Sequence, residues 1–126
     1  MNAITRWTPW GIIALACVHT VYAFATMPGA WGDIARAGVL DGIQGDAERE
    51  VALWFLYSGV GFMAIGTFAL KEVRATGRVP LQAALYLLAV GGTMSAVMPA
   101  SGGWLVLLLG LLALAARRRD RATEGG

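Results

Sequence analysis

The sequence predicts an all-α fold: a four-transmembrane-helix bundle with a short amphipathic helix in the first extracytoplasmic loop. Three observations lead to this prediction. Hydrophobic residues make up 57% of the 126-residue chain and charged residues only 14%, whereas about a quarter of the residues in a soluble domain are charged. The mean hydropathy is +0.61. The charges are also clustered, so they leave four long uncharged runs of the kind that cross membranes.

The four apolar runs cover about residues 9–27, 51–70, 80–98 and 102–116, and residues 117–126 form a basic tail. Each run is too long for a typical strand, and only helices or closed barrels satisfy backbone polar groups in lipid. Pro9 and Pro80 each stand where a helix is expected to begin, because a missing N–H group costs nothing there. The fourth run is short and is expected to cross with its ends in the interfacial zones.

Lysine and arginine residues are divided unevenly between the segments that connect the runs. The N-terminus, the loop after the second run and the tail hold eight of the ten, and the first loop holds the other two. Because basic segments stay in the cytosol, the chain is predicted to be a multi-pass protein of the cell inner membrane with both termini cytoplasmic. Four arginines follow the last run directly, which favours the lipid bilayer over nucleic acid as the partner.

A cleaved signal peptide is the alternative interpretation of the first run. Arg6 precedes an apolar stretch that ends in Ala23-Phe24-Ala25, which resembles an A-x-A cleavage site. The run is long for a signal peptide and contains His19 and Tyr22, which favours a retained helix.

The two extracytoplasmic connections differ in character. Six residues of the first loop recur at helical spacing and predict a short amphipathic helix on the outer leaflet: Trp31, Ile34, Ala35, Gly38, Val39 and Ile43. The connection "MPASGG" between the third and fourth runs is so short that these helices must form a tight antiparallel hairpin.

Small residues are expected where helices pack closely, because lipid provides little hydrophobic drive for helix association. The third run carries a stripe of such residues, and the first two runs carry others: Ala89, Gly92, Thr93, Ala96 and Ala100; Gly59, Gly61 and Gly66; Ala16 and Thr20. They predict a compact bundle or a homodimer through one stripe, and the sequence leaves both open.

The only histidine, His19, lies inside the first run, about 12 Å from its outer end at 1.5 Å per residue. Side chains at similar depth predict a ligand-binding cavity in the outer half of the bundle: Tyr22, Trp54, Tyr57, Thr93 and Ser95. His19 and Glu50, which stands at the outer end of the second run, are the candidates for acid–base catalysis there. The competing interpretation is a neutral imidazole that holds two helices together by hydrogen bonding to Tyr57 or Thr93.

No metal site and no cofactor are predicted. The chain has one histidine, and the apolar runs contain no carboxylate. The single cysteine, Cys17, excludes an intrachain disulfide and a thiolate zinc cluster.

Short motifs along most of the chain resemble a bacterial family of small, four-span membrane proteins of unknown function. They are W-x-x-W-G before the first span, the histidine within it, "ALWFLYSGVGFMAIG" in the second and "MPASGGWLVLLLG" leading into the fourth. The resemblance extends from about Trp7 to Arg117. It implies four retained helices and implies no activity.

Three functions therefore compete. The first is an inner-membrane protein that binds a small or lipid-like molecule around His19, with a lipid-substrate isomerase or cyclase as its enzymatic version. The second is a small oligomeric transporter, which resembles the small multidrug-resistance exporters in length and span number but lacks their carboxylate in the first helix. The third is a structural or accessory subunit without chemistry of its own.

Overall fold

The computed structural model describes residues 1–125, and its secondary structure over these residues consists of five helices and no strand. The helices are α1 (Ala3–Thr26), α2 (Pro28–Ala37), α3 (Ala47–Thr76), α4 (Leu81–Val97) and α5 (Gly103–Glu124). The predicted all-α class is confirmed. The four long helices overlap the four apolar runs, and α2 occupies the first loop.

The helix boundaries follow from local capping. The Asn2 side chain accepts a hydrogen bond from the Thr5 amide at 2.9 Å and starts α1. Pro9 therefore lies inside α1, and the prediction that it stands near the start of the helix is wrong, because the Asn2 cap begins the helix about two turns earlier. Pro80 does precede the first residue of α4, as predicted. Asp46 caps α3 through the Glu48 and Arg49 amides.

α1 is the central helix of the bundle. It packs along α3 on one side and contacts α5 on the other, while α4 packs along α5. In the described part of the chain, no Cα atom of α3 lies within 8 Å of a Cα atom of α5. The order of the long helices across the bundle is therefore α3, α1, α5, α4, with a short contact between α3 and α4 near their connecting loop.

Glycines let these helices approach closely, as Gly59, Gly66 and Gly91 show. A Cβ atom on Gly59 would lie 2.7 Å from Thr20 Oγ1, and one on Gly66 would lie 2.8 Å from Ile13 Cγ1, so both sit in the α1–α3 interface. A Cβ atom on Gly91 would lie 2.2 Å from the backbone nitrogen of Leu107, in the α4–α5 interface.

The predicted packing stripe of α4 is wrong. Of its five residues, four are exposed, and a Cβ atom added to the fifth, Gly92, would meet no heavy atom within 4 Å. The buried residues of α4 lie on another face: Ala83, Ala84, Leu87, Gly91 and Ser95. Large apolar residues such as Leu87 share this inner face with the small ones, so the spacing of small residues alone pointed to the wrong side of the helix.

The helix of the first loop is shorter than its apolar pattern predicts. α2 ends at Ala37 because Gly38 adopts a φ of 76°, which interrupts helical geometry before Val39 and Ile43. The helix buries Ala30 and Ile34, and the indole Nε1 of Trp31 donates a hydrogen bond to the Ala23 carbonyl at 3.0 Å. α2 is thereby held against the end of α1.

Two helices, α1 and α3, are long and apolar enough to cross a membrane, with 24 and 30 residues. Only 28% and 22% of their apolar windows are buried within the bundle, so most of each helix presents apolar side chains outward. α4 is apolar but has only 17 residues, and the apolar part of α5 ends at Arg117. A core helix of a soluble protein would be mostly buried, unlike α1 and α3.

Candidate functional site

The imidazole of His19 connects α1 to α3. Its Nε2 lies 3.0 Å from the backbone carbonyl oxygen of Phe55. Because a carbonyl only accepts, Nε2 is the protonated nitrogen in this bond. The imidazole ring stacks on the Phe55 ring, with centroids 4.0 Å apart and planes 9° apart, and meets the edge of Phe62 at 5.5 Å. His19 is half-buried and contacts two aromatic rings of α3.

Small residues bring the two helices close enough for this contact. Gly59 follows Phe55 by one helical turn, and its missing side chain leaves room for Thr20, whose hydroxyl donates back to the Ala16 carbonyl at 2.9 Å. Gly59, Ala16 and Thr20, which were predicted as small packing residues without assigned partners, thus meet in the α1–α3 interface. His19 reaches a backbone carbonyl, whereas Tyr57 or Thr93 was expected as its partner.

Three predicted ligand-binding residues lie on the outward surface near this cluster. Tyr22, Trp54 and Tyr57 are 56%, 68% and 53% exposed. Tyr22 contacts the Phe55 ring at a centroid distance of 5.8 Å, and Trp54 and Tyr57 meet edge to face at 6.2 Å. Tyr22 therefore borders the His19–Phe55 stack, and Trp54 and Tyr57 form an edge-to-face pair on α3. We call these three exposed side chains the aromatic surface around His19.

The other two, Thr93 and Ser95, lie on α4 and belong to a different part of the bundle. No Cα atom of α1 lies within 8 Å of a Cα atom of α4 in the described residues. Thr93 is exposed. Ser95 is buried beside Gly103 at the start of α5, and its hydroxyl oxygen has no hydrogen-bond partner. The structure does not bring these two residues to His19.

Glu50 closes the first loop. Its Oε1 accepts a hydrogen bond from the Gly45 amide at 3.0 Å, and the neighbouring Arg49 donates to the Gly42 carbonyl at 2.8 Å. Glu50 precedes Phe55 by five residues, about 7.5 Å along α3. In this arrangement the carboxylate orders the loop that leads into α3.

At the opposite end of the bundle, the structure reveals a buried carboxylate. Asp120 of α5 is 8% exposed. Its Oδ1 accepts from Asn2 Nδ2 at 2.6 Å and its Oδ2 from the Thr5 hydroxyl at 2.7 Å. The carboxylate also faces the first turn of α1, where the helix dipole favours negative charge. These bonds place the beginning of α1 and the end of α5 side by side.

Sequence reasoning missed Asp120 as a contact residue. The only local signal was an acidic residue within the run "RRRDR", where solvated charges are expected. Its partners lie 118 and 115 positions away in the chain, and nothing in the local pattern identifies partners at that separation.

A basic cleft of about 380 Å³ lies at this same end, between the ends of α3 and α5, and is lined by Glu72, Thr76, Arg78, Pro80 and Arg117. Arg117 Nη1 donates a hydrogen bond to the Val79 carbonyl at 3.0 Å, and its Nε is enclosed without a partner. The guanidinium group is therefore fixed in the wall of the cleft.

An apolar groove of about 330 Å³ lies between α1 and α5, lined by Ala3, Ile4, Trp7, Thr8, Gly11, Leu109 and Leu112. Arg6 lies over the Trp7 ring at 5.4 Å. Among the side chains that the structure describes, no three His, Cys, Asp or Glu residues are grouped so that they could hold a metal ion.

The family of unknown function DUF6463 matches residues 3–120. The chain therefore belongs to this family, and the prediction of a relation to a family of unknown function is confirmed. No curated protein and no solved structure matches the chain.

Proposed function

We propose that this member of DUF6463 is a multi-pass protein of the bacterial inner membrane, with all four long helices in the bilayer and both termini in the cytosol. The observation that carries the proposal is the outward-facing apolar surface of α1 and α3, each of which is more than 70% unburied over its apolar window. Exposed apolar patches of this extent are unstable in water and need a partner. Hydrocarbon is a partner that can cover them on every side.

The two shorter helices cross if their polar ends extend into the interfacial zones. α4 has 17 residues, or about 26 Å at 1.5 Å per residue, and the hydrocarbon core is about 30 Å thick. α5 is apolar up to Ala116, and the arginines that follow have long stems that reach the headgroups. A modest mismatch of this kind is accommodated by local thinning of the bilayer.

Charge supports the orientation. The end that contains the start of α1 and the end of α5 carries eight basic and three acidic residues, whereas the other end carries two basic and five acidic residues. The basic end therefore belongs in the cytosol.

In this proposal, His19 stabilises the contact between α1 and α3. The aromatic surface around it contacts lipid. Tyr22, Trp54 and Tyr57 have apolar rings with one polar group each, and such side chains collect at the membrane interface. A lipid-like molecule is thus the ligand class that this surface fits, and it binds from the bilayer side. The function that follows is a lipid-facing, accessory role.

Cysteine labelling tests the topology. In a Cys17→Ser background, we introduce Leu40→Cys in the first loop, where Leu40 is 93% exposed, or Ala122→Cys near the end of α5. A membrane-impermeant maleimide is expected to label the first variant in intact spheroplasts and the second only after permeabilisation. The native Cys17, which is exposed on α1, should resist this reagent until detergent is added. Labelling of Ala122→Cys in intact spheroplasts contradicts the orientation. Extraction of isolated membranes with alkaline carbonate tests the embedding, and release of the protein into the supernatant contradicts it.

A further inference from the structure

We infer that the basic cleft binds the phosphate group of an anionic phospholipid headgroup. The inference rests on the membrane embedding and orientation proposed above. It assigns a site that is separate from the aromatic surface around His19, because the two lie at opposite ends of the bundle.

The first argument is the level of the cleft in the bilayer. α3 is apolar until Leu70 and α5 until Ala116, and the charged residues begin immediately after each. The cleft is lined by Glu72 and Arg117, which lie at these two junctions. It therefore opens where hydrocarbon gives way to headgroups, which is the level of a lipid phosphate. Basic pockets between helices on the cytosolic side are the usual sites for acidic headgroups.

The second argument is the fixed geometry of Arg117. A guanidinium group carries five N–H donors in a rigid fork that matches phosphate oxygens. Donation from Nη1 to the Val79 carbonyl orients this fork, while Val79 itself is fully buried. An arginine held in advance loses less side-chain freedom when an anion binds, which distinguishes it from the exposed arginines of the tail.

The third argument is the charge and size of the cleft. Arg78 and Arg117 contribute two positive charges, and among the lining residues that the structure describes Glu72 is the single carboxylate. The Thr76 hydroxyl donates to the Glu72 carbonyl oxygen at 2.8 Å, so this part of the wall is ordered by the helix itself. A volume of about 380 Å³ is in the range of small-molecule sites and accommodates a phosphate with its adjoining glycerol.

Thermal stability of the full chain in a neutral detergent tests the site. We expect added phosphatidylglycerol to raise the unfolding midpoint by on the order of 5 °C, because a ligand that binds only the folded state stabilises it. Phosphatidylcholine and inorganic phosphate should each produce less than a third of this rise, on the order of 1 °C. An equal rise with phosphatidylcholine contradicts selection of an anionic headgroup, and an equal rise with inorganic phosphate contradicts a lipid ligand.

Matched charge variants distinguish the cleft from general attraction to a basic surface. Arg117→Gln and Arg78→Gln should each lose most of the rise with phosphatidylglycerol. Arg119→Gln removes the same charge from an exposed position of α5 and should keep it. Equal loss in all three variants contradicts a defined site. If Arg117→Gln does not fold, Arg78→Gln is used instead. Native mass spectrometry then measures the phosphatidylglycerol that this variant retains, which should be less than the wild type retains.

The outcome is separable from that of the topology experiment. If the cleft does not bind lipid, the cysteine-labelling pattern remains as expected and only the selective rise in midpoint is absent. If the orientation is wrong, the labelling pattern inverts whereas the detergent measurement is unaffected.

Discussion

Replacement of Gly91 by alanine is expected to destabilise the bundle strongly. The new Cβ atom would lie 2.2 Å from the backbone nitrogen of Leu107 and 2.5 Å from its Cα atom. Ordinary contacts of a Cβ atom begin near 3.4 Å, so α4 and α5 must separate by about 1 Å, a gap that forfeits a quarter to a half of the dispersion energy of each contact. Overpacking of this kind costs about 3 kcal/mol.

The neighbouring glycine provides the control. A Cβ atom on Gly92 meets no heavy atom within 4 Å, and alanine is a better helix former than glycine by about 0.5–1 kcal/mol. Both variants are purified in a mild detergent, heated and analysed by size-exclusion chromatography. We expect the apparent midpoint to fall by on the order of 10 °C for Gly91→Ala and to stay unchanged or rise slightly for Gly92→Ala.

The reverse result would refute the reasoning. If Gly92→Ala is the destabilised variant, α4 is rotated by about 100°, one residue of a helix, and the stripe predicted from the sequence faces α5 after all. If both variants are as stable as the wild type, α4 and α5 do not pack at the distance described.

Three further outcomes are expected from the same preparation. His19→Leu should lower the midpoint by only a few degrees, a cost of about 1–2 kcal/mol, because the carbonyl that it bonds keeps its own helical partner; loss of all folded protein would contradict this. Asp120→Ala should lower the free energy of unfolding by about 1–3 kcal/mol, because it leaves the Thr5 hydroxyl buried without an acceptor. Asp33→Ala, which removes an exposed ion pair, is the control and should change the midpoint little. Equal effects of the two substitutions would contradict burial of Asp120. The intact mass of the purified protein should include residues 1–25, and a species that begins at residue 26 would contradict retention of α1.

The elements of this fold could be predicted from the sequence because each carries a local signal. Four apolar runs separated by charges or a short turn define four long helices, and Gly38 explains why the loop helix stops where it does. The sequence indicates the rotation of each helix about its axis less clearly than it indicates the position of the helix in the chain. On α4, the outward face contains Ala89 and Ala96 and the inward face contains Leu87, so residue size does not distinguish them.

The candidate site shows the same limit. His19 could be identified from its position in an apolar run, since a titratable group there requires a reason. Its partner could not, because a backbone carbonyl such as that of Phe55 is present at every residue and leaves no trace in the sequence. Asp120 is harder to identify from the sequence than His19. A carboxylate among arginines is expected to be a solvated charge, and only its contacts with the N-terminal residues show that it is buried.

These two polar contacts together explain the architecture, because both belong to α1. In the C-terminal half of α1, His19 bonds this helix to the backbone of α3, and at the other end Asp120 bonds α5 to the first turn of α1. α3 and α5 make no close backbone approach within the described residues, so α1 is the element that joins them. A chain without α1 would leave Gly59 and Gly66 of α3 uncovered and Asp120 without its donors. A signal peptide that is removed after export has no reason to carry such contacts, and this is the physical argument for a retained first helix.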